Sequence, residues 1–137
     1  MKVGIIGSGD VGKKLGDSFV DLGHSVKIGT RDVGKLQEWA SKHGSHASTG
    51  SFTDAAKFGD VMVIATAWAG TQSAIETAGA ENMAGKIVID VTNPLDFSTM
   101  PPKLAIGHTD SAGETIQRLL PKAAVVKAFN IVGNPHM

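Results

Sequence analysis

A chain of 137 residues, 42% of them apolar, can bury a core and is expected to form one domain. Its 13 basic side chains balance 13 acidic ones, which excludes the broad positive field that recruits nucleic acid or an anionic membrane, so any anion site must be local. With no cysteine there is no disulfide, thiolate nucleophile or thiolate metal site, a composition compatible with a reducing cytoplasm.

The first strand is expected at Lys2 to Ile6, "KVGII", which leaves no room for a leader peptide ahead of it. Val11, Leu15, Phe19 and Leu22 then recur on one helical face, and Gly23 ends that helix. Ser25 to Ile28 reads as a second strand. Val33, Leu36 and Ala40 mark a second helix ending near Gly44, and "SHASTG" holds a short edge strand. Ser51 to Phe58 is a short helix with Ser51 and Asp54 spaced as a capping pair. Asp60 to Ala65 is a buried strand, Gly70 to Ala78 a helix, and Lys86 to Val91 another buried strand. "TNPLDFSTMPPK" is a loop because of its prolines. Ser111 with Glu114 opens a last helix that turns Ile116, Leu119 and Leu120 inward and stops at Pro121, and "AVVKAF" is the last strand. No apolar run approaches the roughly 20 residues of a membrane span.

Strands alternating with helices, the central strands apolar on both faces, imply an α/β protein in three layers: a doubly wound parallel sheet of the Rossmann dinucleotide-binding kind. Between the first strand and first helix stands Gly7-Ser8-Gly9-Asp10-Val11-Gly12. In such a loop Gly7 permits the tight turn, Gly9 lets backbone approach a pyrophosphate, and Gly12 lets the helix pack close to the strand. The first helical amides then face the anion with the helix dipole behind them. The bland reading is a glycine-rich turn without a ligand. Asp10 would repel a pyrophosphate if it faced it, so it is expected to point away or to cap the helix.

At the end of the second strand, where such sites usually carry an acidic residue for the adenosine ribose, this chain has Gly29, Thr30 and Arg31. A hydroxyl donor and a guanidinium suit a 2′-phosphate, and Lys35 lies one helical turn further on. The pattern predicts NADP(H) over NAD(H). The competing view makes Arg31 and Lys35 ordinary surface charges, with Asp32 either capping the second helix or pairing with Arg31.

Ligands of such sheets lie across the C-terminal ends of the strands. Thr66, Ala67 and Trp68 follow the fourth strand, Asn93 and Pro94 the fifth, and Ala128, Phe129 and Asn130 the last. These ends are expected to converge on the nicotinamide and its ribose, with Trp68 as an apolar wall and Asn93 and Asn130 as hydrogen-bonding groups. Trp68 could equally cover the core edge, Asn93-Pro94 could be a turn, and Asn130 could simply end a strand. No acid–base dyad stands out, and the five histidines fall in turns and loops away from the expected chemistry. Hydride transfer between rings held face to face needs no side-chain acid.

The segments "VGIIGSGDVGKKLG", "GTRD", "ATAW", "IVIDVTNPL" and "LLPKAAVVKAFN" occur in the order seen in NADPH-dependent F420 reductases, which the chain resembles over essentially its whole length. It also resembles the oxidoreductase domain of the STEAP metalloreductases. The resemblance implies hydride exchange between NADPH and a deazaflavin (F420) or a flavin such as FMN or FAD. It places the phosphate-binding pair on Thr30 and Arg31, nicotinamide-side residues on Ala67, Trp68, Asn93 and Pro94, and the position beside the acceptor ring on Asn130. It implies that residues 1–137 are a single dinucleotide-binding domain without the C-terminal part of the family, and that an uncovered sheet edge favours a homo-oligomer. Two other functions stay open: an NADPH-binding module or subunit without activity, and reduction of an imine or a β-hydroxyacid, which in related enzymes takes a further helical domain.

Overall fold

The computed structural model describes residues 1–137, apart from the side chain of Asn134. The elements follow the expected alternation: β1 (Lys2–Ile6), α1 (Asp10–Asp21), β2 (Ser25–Gly29), α2 (Gln37–His43), β3 (Ala47–Gly50), α3 (Phe52–Phe58) and β4 (Val61–Ile64). Then come α4 (Trp68–Ala78), β5 (Ile87–Asp90), the two short strands β6 (Leu95–Asp96) and β7 (Lys103–Leu104), α5 (Ala112–Leu119) and β8 (Ala124–Lys127). Six strands form one parallel sheet in the order β3-β2-β1-β4-β5-β8, while β6 and β7 pair antiparallel as a separate hairpin.

Successive side chains of a strand point to opposite faces, and the sheet uses this to build two cores. Val3, Ile5, Val26, Ile28 and Val63 pack against Leu15 of α1, Leu36 of the turn before α2, and Trp39 of α2. Ile6, Met62, Ile64 and Val88 pack on the other face against Phe52 of α3, Ala74 and Ile75 of α4, and Ile116 of α5. Helices on both faces explain why the central strands read as unbroken apolar runs. The first layer is pinned by a polar contact that the sequence did not announce. The Asp17 carboxylate accepts from Trp39 Nε1 at 2.7 Å, and His43 Nε2 lies 2.7 Å from the same oxygen, joining α1 to α2.

Three expectations are corrected. Leu22, assigned to the buried face of the first helix, is 72% exposed, because it stands at the C-cap beyond the last full turn. The second helix begins as a 3-10 turn over Val33–Leu36, with Val33 exposed and only Leu36 buried. The proline-rich stretch read as a plain loop contains the β6–β7 hairpin, with Leu95 opposite Leu104 and Asp96 opposite Lys103.

The glycines of the first turn set the site. Gly7 adopts a φ of +122°, and a Cβ there would stand 2.3 Å from the Ala65 carbonyl oxygen. A Cβ on Gly12 would stand 2.1 Å from the Gly7 carbonyl oxygen, so α1 can start this close to β1 only without one. Gly12→Ala should therefore push α1 off the strand and lower stability by about 1–3 kcal/mol in urea unfolding, the scale of an overpacked contact.

Candidate functional site

The sheet order reverses between β1 and β4: the chain after β1 goes on through α1 to β2 on one side, and β4 continues through α4 to β5 on the other. A doubly wound sheet opens a crevice at such a point. Two cavities meet there, sharing Gly9, Ala65, Thr66 and Ala67. One, of about 370 Å³, runs under the glycine loop to Thr30 and Arg31, with Phe52 and Ser73 on its far wall. The other, of about 750 Å³, opens toward β5 and the hairpin, between Val11, Trp68, Thr92, Asn93, Leu95 and Phe97. Both fall within the roughly 300–1,000 Å³ of small-molecule sites.

Helix ends show how the crevice treats charge. Away from it, α3 carries a full capping box from Ser51 and Asp54, and the Ser111 hydroxyl caps α5. The two helices that start at the crevice are not capped by a side chain: α1 begins after Gly9 and α4 after Ala67. In α4 the Gly70 N–H is already taken by the Ala67 carbonyl at 3.0 Å, while the other first-turn N–H groups of both helices have no side-chain cap, and the dipoles add positive potential. A Cβ on Gly9 would meet nothing within 4 Å, so the loop leaves open space where a phosphate would approach backbone. Asp10 does not cap the helix. Its side chain is 85% exposed and lies 3.8 Å from Lys13, which removes the repulsion that a buried carboxylate would cause.

The end of β2 is arranged around Thr30, only 7% exposed. Its Oγ1 lies 2.9 Å from Ser8 Oγ and accepts from the Asp32 N–H at 3.2 Å, tying the glycine loop to the strand end. Asp32 is occupied too, since its side chain accepts from the Gly34 N–H and lies 3.8 Å from Lys35. Lys35 thus stands beside Asp32 rather than in the crevice lining. Arg31 lines the crevice, is exposed, and among the described residues makes no ion pair. The residues present fit a dinucleotide bearing an extra phosphate: open backbone at Gly9, a start of α1 without a side-chain cap, and a guanidinium at the end of β2 that makes no ion pair among the described residues.

At the other end, Thr66, Ala67, Trp68 and Asn93 line the larger cavity. Trp68 both lines it and packs on the core, so the two readings of that residue coexist. Pro94, Ala128 and Asn130, expected at this end, line neither of the two cavities. The Pro94 carbonyl accepts from Ala105 N–H at 2.7 Å, the Ala128 N–H donates to Asp90 O at 3.1 Å, and Asn93 Nδ2 donates to Asn130 O at 3.1 Å.

Sequence reasoning missed two parts. The hairpin supplies Leu95, Asp96, Phe97 and Ser98 to the cavity, although that stretch read only as a loop. Asp96 accepts from the Ser98 N–H at 2.8 Å, a bond that holds its carboxyl below the usual carboxylate range and keeps it ionised. The second part is a polar cluster under the cavity floor. Asp90 is fully buried, and its Oδ1 accepts from the Thr92 N–H and hydroxyl, each at 2.8 Å. Its Oδ2 lies 3.0 Å from Lys127 Nζ, which also donates to the Thr92 carbonyl. The signal was present in "IVID" and "VVK": a charge ending each of two strands, which parallel register sets side by side although β8 is a largely exposed edge strand. Among the described residues no cluster of His, Cys, Asp or Glu could hold a metal ion, and no helix is long and apolar enough to cross a membrane.

The sequence model of the family described as NADP oxidoreductase, coenzyme F420-dependent, matches residues 2–94. The chain belongs to this family. A crystal structure of a candidate F420-dependent NADP-reductase from Arthrobacter sp. FB24 superposes with a TM-score of 0.92 at 43% identity, covering 98% of this chain and 65% of that one. Metalloreductase STEAP3 of Rattus norvegicus is 33% identical over 131 residues, which are 96% of this chain and 25% of the rat protein. The chain thus spans a quarter of that curated relative and about two thirds of the bacterial structure. An imine reductase from Myxococcus stipitatus, solved with NADP+, aligns at a TM-score of 0.60 and 21% identity over 68% of this chain and 32% of its own, a likeness of fold alone. The family is one of NADP-dependent oxidoreductases, and its sheet is the doubly wound one described above.

Removing the Lys127 cation leaves Asp90 buried without its partner. Breaking a fully buried pair costs roughly 3–5 kcal/mol, but Lys127 is 31% exposed, so Lys127→Met should cost about 2–3 kcal/mol. The double variant Asp90→Asn/Lys127→Met should recover part of that loss, measured by chemical denaturation in a double-mutant cycle.

Proposed function

We propose that the chain binds NADPH across the β1–β4 switch point and passes its hydride to a deazaflavin such as F420, or to a flavin. In this reading residues 1–137 act as a single dinucleotide-binding unit. The observation that carries it is Arg31: an unpaired guanidinium at the end of β2, where the adenosine ribose lies in sheets of this kind. Arg31 holds the 2′-phosphate, with Thr30 and Ser8 fixing the loop from which it reaches and Lys35 close enough to add positive potential. Gly7 to Gly12 and the amides of the first α1 turn receive the pyrophosphate. Thr66, Ala67, Trp68 and Asn93 orient the nicotinamide, while the Asn130 carbonyl holds the Asn93 amide, and Pro94 and Ala128 fix the adjoining strand ends through Ala105 and Asp90. NADPH supplies the hydride, and a solvent proton completes the reduction, so NADPH, a proton and the oxidised ring become NADP+ and the dihydro ring. The chain's own contribution is placement and the exclusion of water from the larger cavity.

A second reading is favoured by one observation: Ile87 and Val126 are about half exposed and Ile131 is 91% exposed around the edge strand β8. An apolar strip beside an open strand edge suits a second copy or a further unit of a longer protein. On that reading the chain binds NADPH without turnover unless that unit is present.

Calorimetry with NADPH and NADH on the wild type and Arg31→Ala tests the cofactor assignment. The substitution should weaken NADPH by about 1–3 kcal/mol and NADH much less. Equal losses for the two coenzymes remove Arg31 from the phosphate. Loss of nicotinamide absorbance on mixing NADPH with F420 or FMN tests the reaction, and tight NADPH binding with no turnover on any ring acceptor would leave only the second reading.

A further inference from the structure

Phe97 follows β6 directly, at the start of the hairpin's loop, and lines the larger cavity, yet it is 68% exposed. Its backbone is placed by the pairing around it. Leu95 pairs with Leu104 and Asp96 with Lys103, the Asp96 carboxylate accepts from the Ser98 N–H, and the Ala105 N–H closes the base on the Pro94 carbonyl. A hairpin this short is fixed at its base and presents an apolar ring over the chamber.

We propose that Phe97 is the platform on which the hydride-accepting ring stacks. This rests on the NADPH reading above. A ring that accepts hydride must lie against the nicotinamide with the reacting atoms about 3–3.5 Å apart, so one face is covered by the coenzyme. Its opposite face must be covered by the protein if water is to be kept out. Phe97 is the aromatic side chain that the hairpin brings to that chamber, while Trp68 belongs to the α4 wall and packs on the core. Stacking on an aromatic ring favours a flat, delocalised acceptor over a compact aliphatic one. The charged side chains lining the chamber are the carboxylates Asp10 and Asp96, so the part of the acceptor held there is the uncharged ring, and a phosphate-bearing tail is directed outward.

The test uses riboflavin, a flavin without phosphate, and FMN, each with protein saturated in NADPH. Phe97→Ala should raise the KM for riboflavin about tenfold, the scale of one lost base-like stack. Phe97→Trp should stay within about threefold of wild type, and Phe97→Leu, which keeps apolar area but not the ring, should behave like the alanine variant. The NADPH Kd should be unchanged in all three. A KM within about twofold of wild type for Phe97→Ala, or full retention by Phe97→Leu, overturns the proposal, as does a parallel loss of NADPH affinity. If the wild type binds NADPH but turns over neither flavin, hydride transfer to flavins fails as a function, and quenching of riboflavin fluorescence then decides the platform. Quenching lost in Phe97→Ala and kept in Phe97→Trp supports it, and absence of quenching by the wild type overturns it.

Discussion

Between β1 and β4 two neighbouring strands send their chains to opposite faces of the sheet, and no backbone can fill the wedge that their departing helices leave. Every candidate site group is placed by that divergence. The turn after β1 brings the glycines and the start of α1. The turn after β4 brings Thr66 to Trp68 and the start of α4. Parallel pairing puts the ends of β2 and β5 on either side at the same height, Gly29 beside Ile6 and Asp90 beside Ile64. Move the reversal by one strand and the same residues would no longer face each other.

Electrostatics within the wedge follow from what is withheld. A helix start normally finds a side-chain acceptor for its first amides, and α3 and α5 do so through serine. The starts of α1 and α4 forgo this at some cost in stability. Arg31 is treated likewise. The nearby carboxylate of Asp32 is turned to the Gly34 amide and Lys35, so the guanidinium stays unneutralised in a chain whose net charge is zero. Local positive potential thus arises by diverting acidic partners rather than by accumulating basic residues.

The side of the crevice toward β5 is built on different physics. Its floor is stiffened by Asp90, which satisfies Thr92 twice and Lys127 once in a place without water contact of its own. Such a cluster tolerates little displacement, because moving either strand end leaves a buried charge unpaired. Above this floor the wall is mostly apolar, and the hairpin is its least anchored part, with two residue pairs in its ladder. A rigid floor with a light apolar cover suits the proposed placing of one ring against another.

The amino-acid order by itself determined the layered fold, because periods of two and of 3.6 residues are local properties that read directly as strands and helices. It also determined the glycine loop, since only glycine fits the backbone of Gly7 and the contact at Gly12. It did not reveal that Leu22 falls past the helix end, since a single turn of drift is invisible to periodicity. Which charges meet was decided by tertiary structure alone: Lys127 reaches Asp90 across 37 positions of sequence, and Asp17 is shared by Trp39 and His43. The hairpin behind Phe97 was hidden for the same reason, its strands being too short to show a pattern and fixed only by pairing with each other. Side-chain partnership across a sheet depends on register, and register is a property of the folded chain.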